Sequence, residues 1–269
     1  MLPCSFFFLT VAYILISNII ILKNKFKILF LISILLISSC RKDEDVNKVN
    51  TDDLELINVF KIAVEEPSGL CLDTVNNVLF TVSDNTNNVY KISKTGSLIQ
   101  EYDIDADDLE GITIYNSELL LADERNKQIL KYNIINDELV KYSIDYDNTN
   151  ANNGFEGIAY NYTDDVIYVL NEKKPGELLT FNNNFDIINT VSLSFANDYS
   201  GIFYDSDNNL LWIVSDESES VNKCTLNGEL LKSYSVDINK CEGIAIDNKA
   251  KLLYLVSDTD SEMYVYKLE

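Results

Sequence analysis

Short apolar runs rich in β-branched and aromatic residues recur along residues 54–269, separated by turns of Asn, Asp and Ser. One stretch shows four of them in order: GITIYN at 111–116, ELLLAD at 118–123, QILKYNI at 128–134 and ELVKYSI at 138–144. Runs of this length and composition predict β-strands. The first two are almost wholly apolar, which predicts strands covered on both faces, whereas the fourth alternates, which predicts one face in water.

A four-residue motif with Gly at its third position occurs five times, and its glycines lie 42, 46, 44 and 42 residues apart. This period is the length of one four-stranded blade, so the sequence predicts an all-β, five-bladed β-propeller. A β-sandwich, the alternative fold, does not repeat at such a spacing. The motifs are Pro67–Leu70, Leu109–Ile112, Phe155–Ile158, Tyr199–Ile202 and Cys241–Ile244. The predicted blades are residues 67–104, 108–144, 154–193, 198–236 and 241–268.

The fifth repeat stops one strand short, because the chain ends after its third apolar run. Residues 54–62 (LELINVFKI) are similar in pattern to the fourth runs of the other repeats. We therefore predict that this N-terminal strand completes the last blade. Closure of that kind leaves no unpaired edge between the first and last blades.

Residues 1–39 precede this domain and have the character of a leader segment. Lys23, Lys25 and Lys27 are followed by an apolar run at 28–37 and then by Ser38, Ser39 and Cys40. This order predicts a bacterial lipoprotein signal at about 22–39, with cleavage before Cys40 and a lipid on its sulfur. The apolar stretch before Lys23 is either a further membrane segment or a product of a misassigned start, and we favour the second.

Residues 40–53 are polar without periodicity and predict a lipidated tether. The expected location is the cell envelope, with the domain anchored through the lipid to the outer or inner membrane. The charged patch at 41–45 (RKDED) resembles signals that send lipoproteins to the cell surface.

Composition limits the partners and the kinds of catalytic or metal site that the domain can have, because the formal net charge is −22 and there is no histidine. A strongly acidic domain repels nucleic acid and attracts cations and basic partners. Without histidine, imidazole catalysis and the usual zinc sites are excluded, so a bound metal would have oxygen ligands. Three cysteines in the domain, Cys71, Cys224 and Cys241, form no CxxC pair and are expected as buried apolar residues.

Several motifs together, in the order DLEGI, LADERNKQIL, GFEGIAY, YSGIFYD, VSDES and CEGIAID, resemble the SdiA-regulated (YjiK-like) family of bacterial β-propellers. The resemblance covers about residues 54–269. It implies an exported propeller of the cell envelope, and it implies no particular activity.

The repeated motif points to a candidate site, since in a propeller the inner strands begin, and the second strands end, on the same face. The inner-strand positions are Ser68, Glu110, Glu156, Ser200 and Glu242. Around them we expect Asp84, Asp123, Glu124, Arg125, Glu172, Lys173, Asp216 and Asp258, with Tyr199 beside the fourth motif. The carboxylates that we expect as metal ligands are Glu110, Glu156, Glu242, Asp84, Asp216 and Asp258.

So many carboxylates at one channel mouth repel one another, which raised pKa values, basic neighbours or a hard cation would offset. Oxygen ligands of this kind suit Ca²⁺. The structural alternative is that the aspartates close Asx turns and the glycines merely start strands.

Three functions follow from this site. The first is a non-enzymatic binding or sensing module of the envelope, whose mouth receives a cation, a small cationic ligand or a basic peptide. The second is a metal-dependent hydrolase, a lactonase or phosphoesterase, in which Glu156 or Glu242 acts as general base. The third is a scaffold for an envelope protein partner. We favour the first over an enzyme.

Overall fold

The computed structural model describes residues 54–146, 154–173 and 175–268, and every regular element in them is a β-strand. Twenty strands form five four-stranded antiparallel sheets, which confirms the predicted five-bladed β-propeller. Within the described ranges there is no helix with the length and hydrophobicity to span a bilayer. The predicted leader, Cys40 and residues 41–53 lie outside the described residues.

Each of the first four blades is built from consecutive strands. Blade one comprises β2 (Pro67–Asp73), β3 (Val78–Ser83), β4 (Asn88–Ile92) and β5 (Leu98–Asp103). Blade two comprises β6 (Leu109–Tyr115), β7 (Glu118–Asp123), β8 (Gln128–Asn133) and β9 (Glu138–Ser143). Blade three comprises β10 (Phe155–Asn161), β11 (Val166–Asn171), β12 (Glu177–Phe181) and β13 (Ile187–Ser192). Blade four comprises β14 (Ile202–Asp205), β15 (Leu210–Ser215), β16 (Ser220–Cys224) and β17 (Leu230–Ser235).

The fifth blade is closed by the N-terminal strand, as predicted. It comprises β18 (Cys241–Asp247), β19 (Leu252–Ser257), β20 (Glu262–Lys267) and β1 (Glu55–Lys61). Strand β1 pairs antiparallel with β20 and places opposite charges together at both ends of the pair. Lys61 lies 3.1 Å from Glu262, and Lys267 lies 3.1 Å from Glu55. Because these pairs are exposed, their main effect is on the register of closure rather than on its energy.

The apolar core consists of five clusters, each lying between two adjacent blades. In the cluster that joins the last blade to the first, Tyr254 and Met263 pack with Leu79 and Tyr90. Burial between blades explains why the second strand of every blade is apolar on both faces. Trp212 and the three cysteines are buried in this core, and the cysteines are free.

The motif glycines lie where neighbouring inner strands approach each other most closely. A Cβ atom added at Gly111 would be 2.2 Å from the carbonyl oxygen of Glu156 in the next blade, and one at Gly201 would be 2.3 Å from that of Glu242. The other three motif glycines face the next inner strand in the same way. The glycines are therefore required by packing around the channel and are not merely signals for the start of a strand.

We predict that Gly111→Ala lowers the free energy of unfolding by about 2 kcal/mol or more, because the new methyl group meets a backbone oxygen that cannot easily move. Chemical denaturation of wild type and variant measures the difference. Ile135→Ala, at a side chain that is 87% exposed, is the control and should change stability by less than about 0.5 kcal/mol. Equal stability of wild type and Gly111→Ala would contradict the packing explanation.

Candidate functional site

Three positions from each blade converge at one end of the central channel, because antiparallel hairpins return each second strand to the face where the inner strand began. The innermost ring is Ser68, Glu110, Glu156, Ser200 and Glu242. The residues directly after the second strands are Asp84, Glu124, Glu172, Asp216 and Asp258. Two positions before the motif residues stand Glu66, Asp108, Gly154, Asp198 and Lys240.

A β-bulge at the motif directs these inner side chains. The pairing of the inner and second strands shifts between Pro67 and Leu70, between Leu109 and Gly111, between Phe155 and Ile158, and between Cys241 and Gly243. A bulge inserts an extra residue and re-aims the side chains beside it. In blades two, three and five the motif glutamate lies inside this irregularity.

The resulting cavity, which we call the acidic mouth, has a volume of about 290 Å³ and is lined only by polar residues. Nine of the lining residues are acidic and two are lysines. They are Ser68, Asp84, Glu110, Glu156, Glu172, Lys173, Asp198, Ser200, Asp216, Glu217, Lys240, Glu242 and Asp258. Such an excess of like charge in a partly desolvated space disfavours the ionised carboxylates.

Part of this repulsion is offset by serines in place of glutamate. Ser68 donates a hydrogen bond of 2.5 Å to Oε2 of Glu110 in the next blade. Ser200 is buried and donates to the carbonyl oxygen of Cys241 over 2.9 Å. These two positions therefore remove two charges from the innermost ring and add donors to it.

Basic residues offset a further part of the repulsion between carboxylates. The carboxylates that they bind lie around the rim of the mouth. Lys173 lies 2.6 Å from Glu172 and 3.0 Å from Glu217. Although burial opposes its charge, the hydrogen bonds with these two glutamates raise the pKa of Lys173. Two more rim pairs join Lys240 to Asp258 and Arg125 to Asp108, each at 3.0 Å.

Glu156 is left without such a partner. Its side chain is only 8% exposed and lines the mouth. In the described part of the chain no donor forms a hydrogen bond or ion pair with its carboxyl group. The carboxyl oxygens of Glu124 and Glu172 lie within 4.8 Å of one of its oxygens. A buried carboxyl with two acidic neighbours and no donor is costly unless it is protonated or bound to a cation.

Burial raises the pKa of Glu156 well above its ordinary value, and the charges of Glu110 and Glu124 add to the effect. Burial also raises the pKa of Glu110, against the hydrogen bond from Ser68. Burial, followed by repulsion from Asp216, raises the pKa of Glu242 to about 8. Without a bound cation, Glu242 therefore holds a proton near neutral pH.

Most of the residues predicted for the mouth line it, but Asp123, Glu124, Arg125 and Tyr199 do not. Asp123 is completely buried, and its carboxylate accepts hydrogen bonds from the backbone and side chain of Asn126. It closes a turn, as the structural alternative expected. Glu124 lies within 4.8 Å of Glu156 but is not among the residues that line the cavity. Arg125 points to Asp108 and is absent from the lining.

Tyr199 also departs from its predicted place. Its ring is buried between blades three and four, 2% exposed, and contacts Phe195. Its hydroxyl group accepts hydrogen bonds from the backbone N–H groups of Phe195 and Ala196 at 3.1 and 3.2 Å. Tyr199 therefore fixes the loop that leads into blade four and does not face the mouth.

The predicted metal ligands do not come together as one group. Among the described residues, three trios of carboxyl groups approach within 4.8 Å: Glu66, Asp84 and Asp258; Asp108, Glu110 and Glu124; and Glu124, Glu156 and Glu172. Glu242 and Asp216 belong to none of them. The six predicted ligands are therefore not all within 4.8 Å of one another, and their assignment to a bound cation remains a prediction.

Sequence reasoning missed Asp198, Glu217 and Lys240 among the lining residues. Asp198 is buried and accepts hydrogen bonds from the hydroxyl of Ser215 and from the backbone N–H of Glu217. Asp198 and Lys240 both stand two residues before the motif position of their blade. An alignment of the five repeats on the motif would have found this third ring.

Together the fold and this end of the channel define a five-bladed β-propeller with a carboxylate-lined mouth. Residues 52–267 match the protein family described as SdiA-regulated. The chain belongs to the SdiA-regulated family, as its motifs indicated.

Solved structures of other proteins share the fold at low sequence identity. A glutaminyl cyclase from Myxococcus xanthus has a TM-score of 0.66 at 9% identity, over 81% of this chain and 99% of that one. A chain of a nidogen–laminin complex has a TM-score of 0.52 at 13% identity, and the match covers 77% of this chain and 81% of that one. A luciferin-regenerating enzyme has a TM-score of 0.51 at 12% identity, and the match covers 78% of this chain and 94% of that one. At these identities the likeness shows the propeller fold alone.

The raised pKa of Glu242 predicts a pH dependence of stability in chelator-treated protein. The folded state keeps a proton up to about pH 8, whereas the unfolded chain loses it near its ordinary value of 4.5. Unfolding therefore releases this proton between those values, and the free energy of unfolding falls as pH rises through that window. We expect Glu242→Gln to reduce the fall by roughly 1–3 kcal/mol.

Denaturant titrations at pH 5, 6.5 and 8 measure this dependence. Glu138→Gln, at an exposed position on outer strand β9, is the charge-matched control and should leave the pH profile as in wild type. A Glu242→Gln profile parallel to that of wild type would show that Glu242 has an ordinary pKa.

Proposed function

We propose that this protein is a non-enzymatic binding module of the cell envelope, whose acidic mouth takes up a divalent cation, most favourably Ca²⁺. The observation that carries the proposal is Glu156, buried, without a donor and facing the carboxyl groups of Glu124 and Glu172. Neither burial nor the turns of the propeller require a glutamate there, and a cation would supply the missing partner.

The chemistry of this trio favours a hard cation. Ca²⁺ takes six to eight oxygen ligands in a flexible geometry, and bidentate carboxylates with water would complete its shell. Mg²⁺ requires a closer, near-octahedral arrangement and retains its waters. Glu124 is positioned by the backbone N–H of Gly154 at 2.9 Å, and Glu172 by Lys173, so that two of the three ligands are held in place.

A small cationic ligand or a basic peptide suits the same mouth by charge. Lys173 shows how a cationic group can bind there, since its ammonium group lies between Glu172 and Glu217. Such a ligand would bind at the rim of the mouth instead of Ca²⁺ binding at Glu156, because the rim carboxylates are more exposed than Glu156. Nucleic acid is disfavoured as a partner by the same excess of negative charge.

Thermal unfolding of residues 41–269, stripped with chelator and titrated with Ca²⁺ and Mg²⁺, tests the cation site. At about 100 times the Kd, Ca²⁺ should add roughly 2.7 kcal/mol, or about 5–10 °C in Tm. We expect Glu156→Gln to abolish this shift. Glu242→Gln removes one carboxylate from the same mouth but from none of the trios, and should retain most of it.

Equal loss in the two variants would show that the response comes from the general field of the mouth and not from a site. The same small shift with Ca²⁺, Mg²⁺ and Na⁺ in wild type would contradict specific binding. In that case an envelope protein that contacts the outer blade edges, the scaffold function, would become the better explanation.

We further propose that the mature protein is held at the envelope by a lipid on Cys40 and reaches from the membrane through the polar tether of residues 41–53. The predicted lipoprotein signal at residues 22–39 and the envelope association that the family resemblance implies support this location. We expect Cys40→Ser to release the protein into the soluble fraction and to abolish labelling by a radioactive fatty acid. Unchanged membrane association of Cys40→Ser would contradict the anchor.

A metal-dependent hydrolase is the second candidate, and one observation favours it. Glu242 faces the mouth without a hydrogen-bond donor among the described residues, with a pKa of about 8, which suits a general base. It would take a proton from water as that water attacks an ester or lactone whose oxygen a bound cation polarises. Turnover of such esters by wild type, lost in Glu242→Gln with the Ca²⁺ shift retained, would replace the binding proposal.

A further inference from the structure

The opposite end of the channel contains a second and larger cavity, which we call the lower cavity. Its volume is about 670 Å³, and it shares no lining residue with the acidic mouth. It lies beyond the motif glycines, where the inner strands end and their first turns begin. Cavities of this size are typical of small-molecule sites.

The walls of the lower cavity differ in chemistry from those of the acidic mouth. Four aromatic side chains line the part formed by blades three and four: Tyr160, Tyr162, Phe203 and Tyr204. Aliphatic residues of the inner strands, such as Leu72 and Ile114, line much of the rest. An apolar molecule therefore finds contacts here that the all-polar mouth does not offer.

Two strongly exposed apolar side chains stand in the cavity lining. Val75 of blade one is 90% exposed, and Tyr162 of blade three is 63% exposed. Tyr162 is in edge contact with Tyr204, with ring centroids 6.0 Å apart. Exposed apolar groups beside a concave, partly apolar surface are a feature of ligand-binding grooves.

One charged pair is built into the wall. Lys94 reaches from blade one to Asp247 of blade five, with 2.6 Å between Nζ and Oδ2, and it also donates to Oδ1 of Asn77 over 2.5 Å. Both charged side chains are mostly buried. An ammonium group has three hydrogens, and in the described part of the chain these two acceptors use only two of them. The third is available to an acceptor in the cavity.

We propose that the lower cavity binds a small, uncharged, largely apolar organic molecule, which packs its ring system against the aromatic wall and presents a carbonyl or hydroxyl oxygen to Lys94. The Lys94–Asp247 pair is neutral as a whole, and the charges of Asp207 and Lys249 oppose each other. The remaining charged residue, Asp73, accepts hydrogen bonds from the backbone N–H groups of Val75 and Asn76. The charges of the lining therefore nearly cancel, which favours a neutral ligand over an ion. This site is independent of cation binding at the acidic mouth.

Fluorescence titration of residues 41–269 with prodan, a neutral naphthyl ketone whose emission shifts to the blue in apolar surroundings, tests the proposal. All five blades and the closing strand lie within this segment. We expect saturable 1:1 binding. Thr113→Trp, which places a large side chain in the cavity, should weaken it at least tenfold, and Tyr162→Asn should weaken it several-fold.

Lys94→Met should also weaken binding about tenfold, as expected for loss of a hydrogen bond from a charged donor. Because this change leaves Asp247 unpaired, circular dichroism must confirm that the variant is folded, and Tyr162→Asn provides a second test if it is not. Ile135→Asn removes an apolar side chain that is even more exposed than Tyr162 but is not in the cavity lining, and it should leave binding unchanged. Glu156→Gln should likewise have no effect.

Non-saturable binding to wild type would overturn the proposal. So would binding that Thr113→Trp and Tyr162→Asn leave unchanged, or that Ile135→Asn weakens as much as Tyr162→Asn does.

Discussion

The close approach of the inner strands at the motif glycines is the constraint on which the rest of the structure depends. Each strand passes so near the next that a single methyl group on Gly111 would meet the backbone of the neighbouring blade. This contact repeats from blade one to blade five and back to blade one. It therefore fixes how close the side chains that precede the glycines come to one another around the channel.

The electrostatics of the mouth follow from that constraint. Glutamates that begin adjacent inner strands are forced into one cavity, and burial raises the pKa of each. Ser68, Ser200 and the rim lysines relieve the repulsion at particular places, but they leave Glu156 without a donor. A cation at Glu124, Glu156 and Glu172 would supply the partner that the described protein groups do not give to Glu156.

The repeat made the fold predictable from the sequence. The positions of side chains at the site could not be predicted, because they depend on local hydrogen bonds and bulges. The spacing of the motif glycines and the displaced strand at 54–62 were sufficient to predict the five blades and their closure. By contrast, Asp123 and Glu124 are adjacent and both acidic, and only the turn that binds the Asp123 side chain shows which of them approaches Glu156. The trio of carboxylates depends on bulges and side-chain positions that no spacing in the sequence reveals. The lower cavity was not predicted because Tyr160, Phe203 and Tyr204 follow the ordinary pattern of strand residues and Tyr162 lies alone in a turn.

The most direct test of the account is a crystal structure of the calcium-soaked protein with anomalous differences recorded. Ca²⁺ at the proposed site will give a peak about 2.3–2.6 Å from carboxyl oxygens of Glu124, Glu156 and Glu172. A mouth without such a peak, in which Glu156 is hydrogen-bonded to water or to a neighbouring carboxyl group, would contradict it.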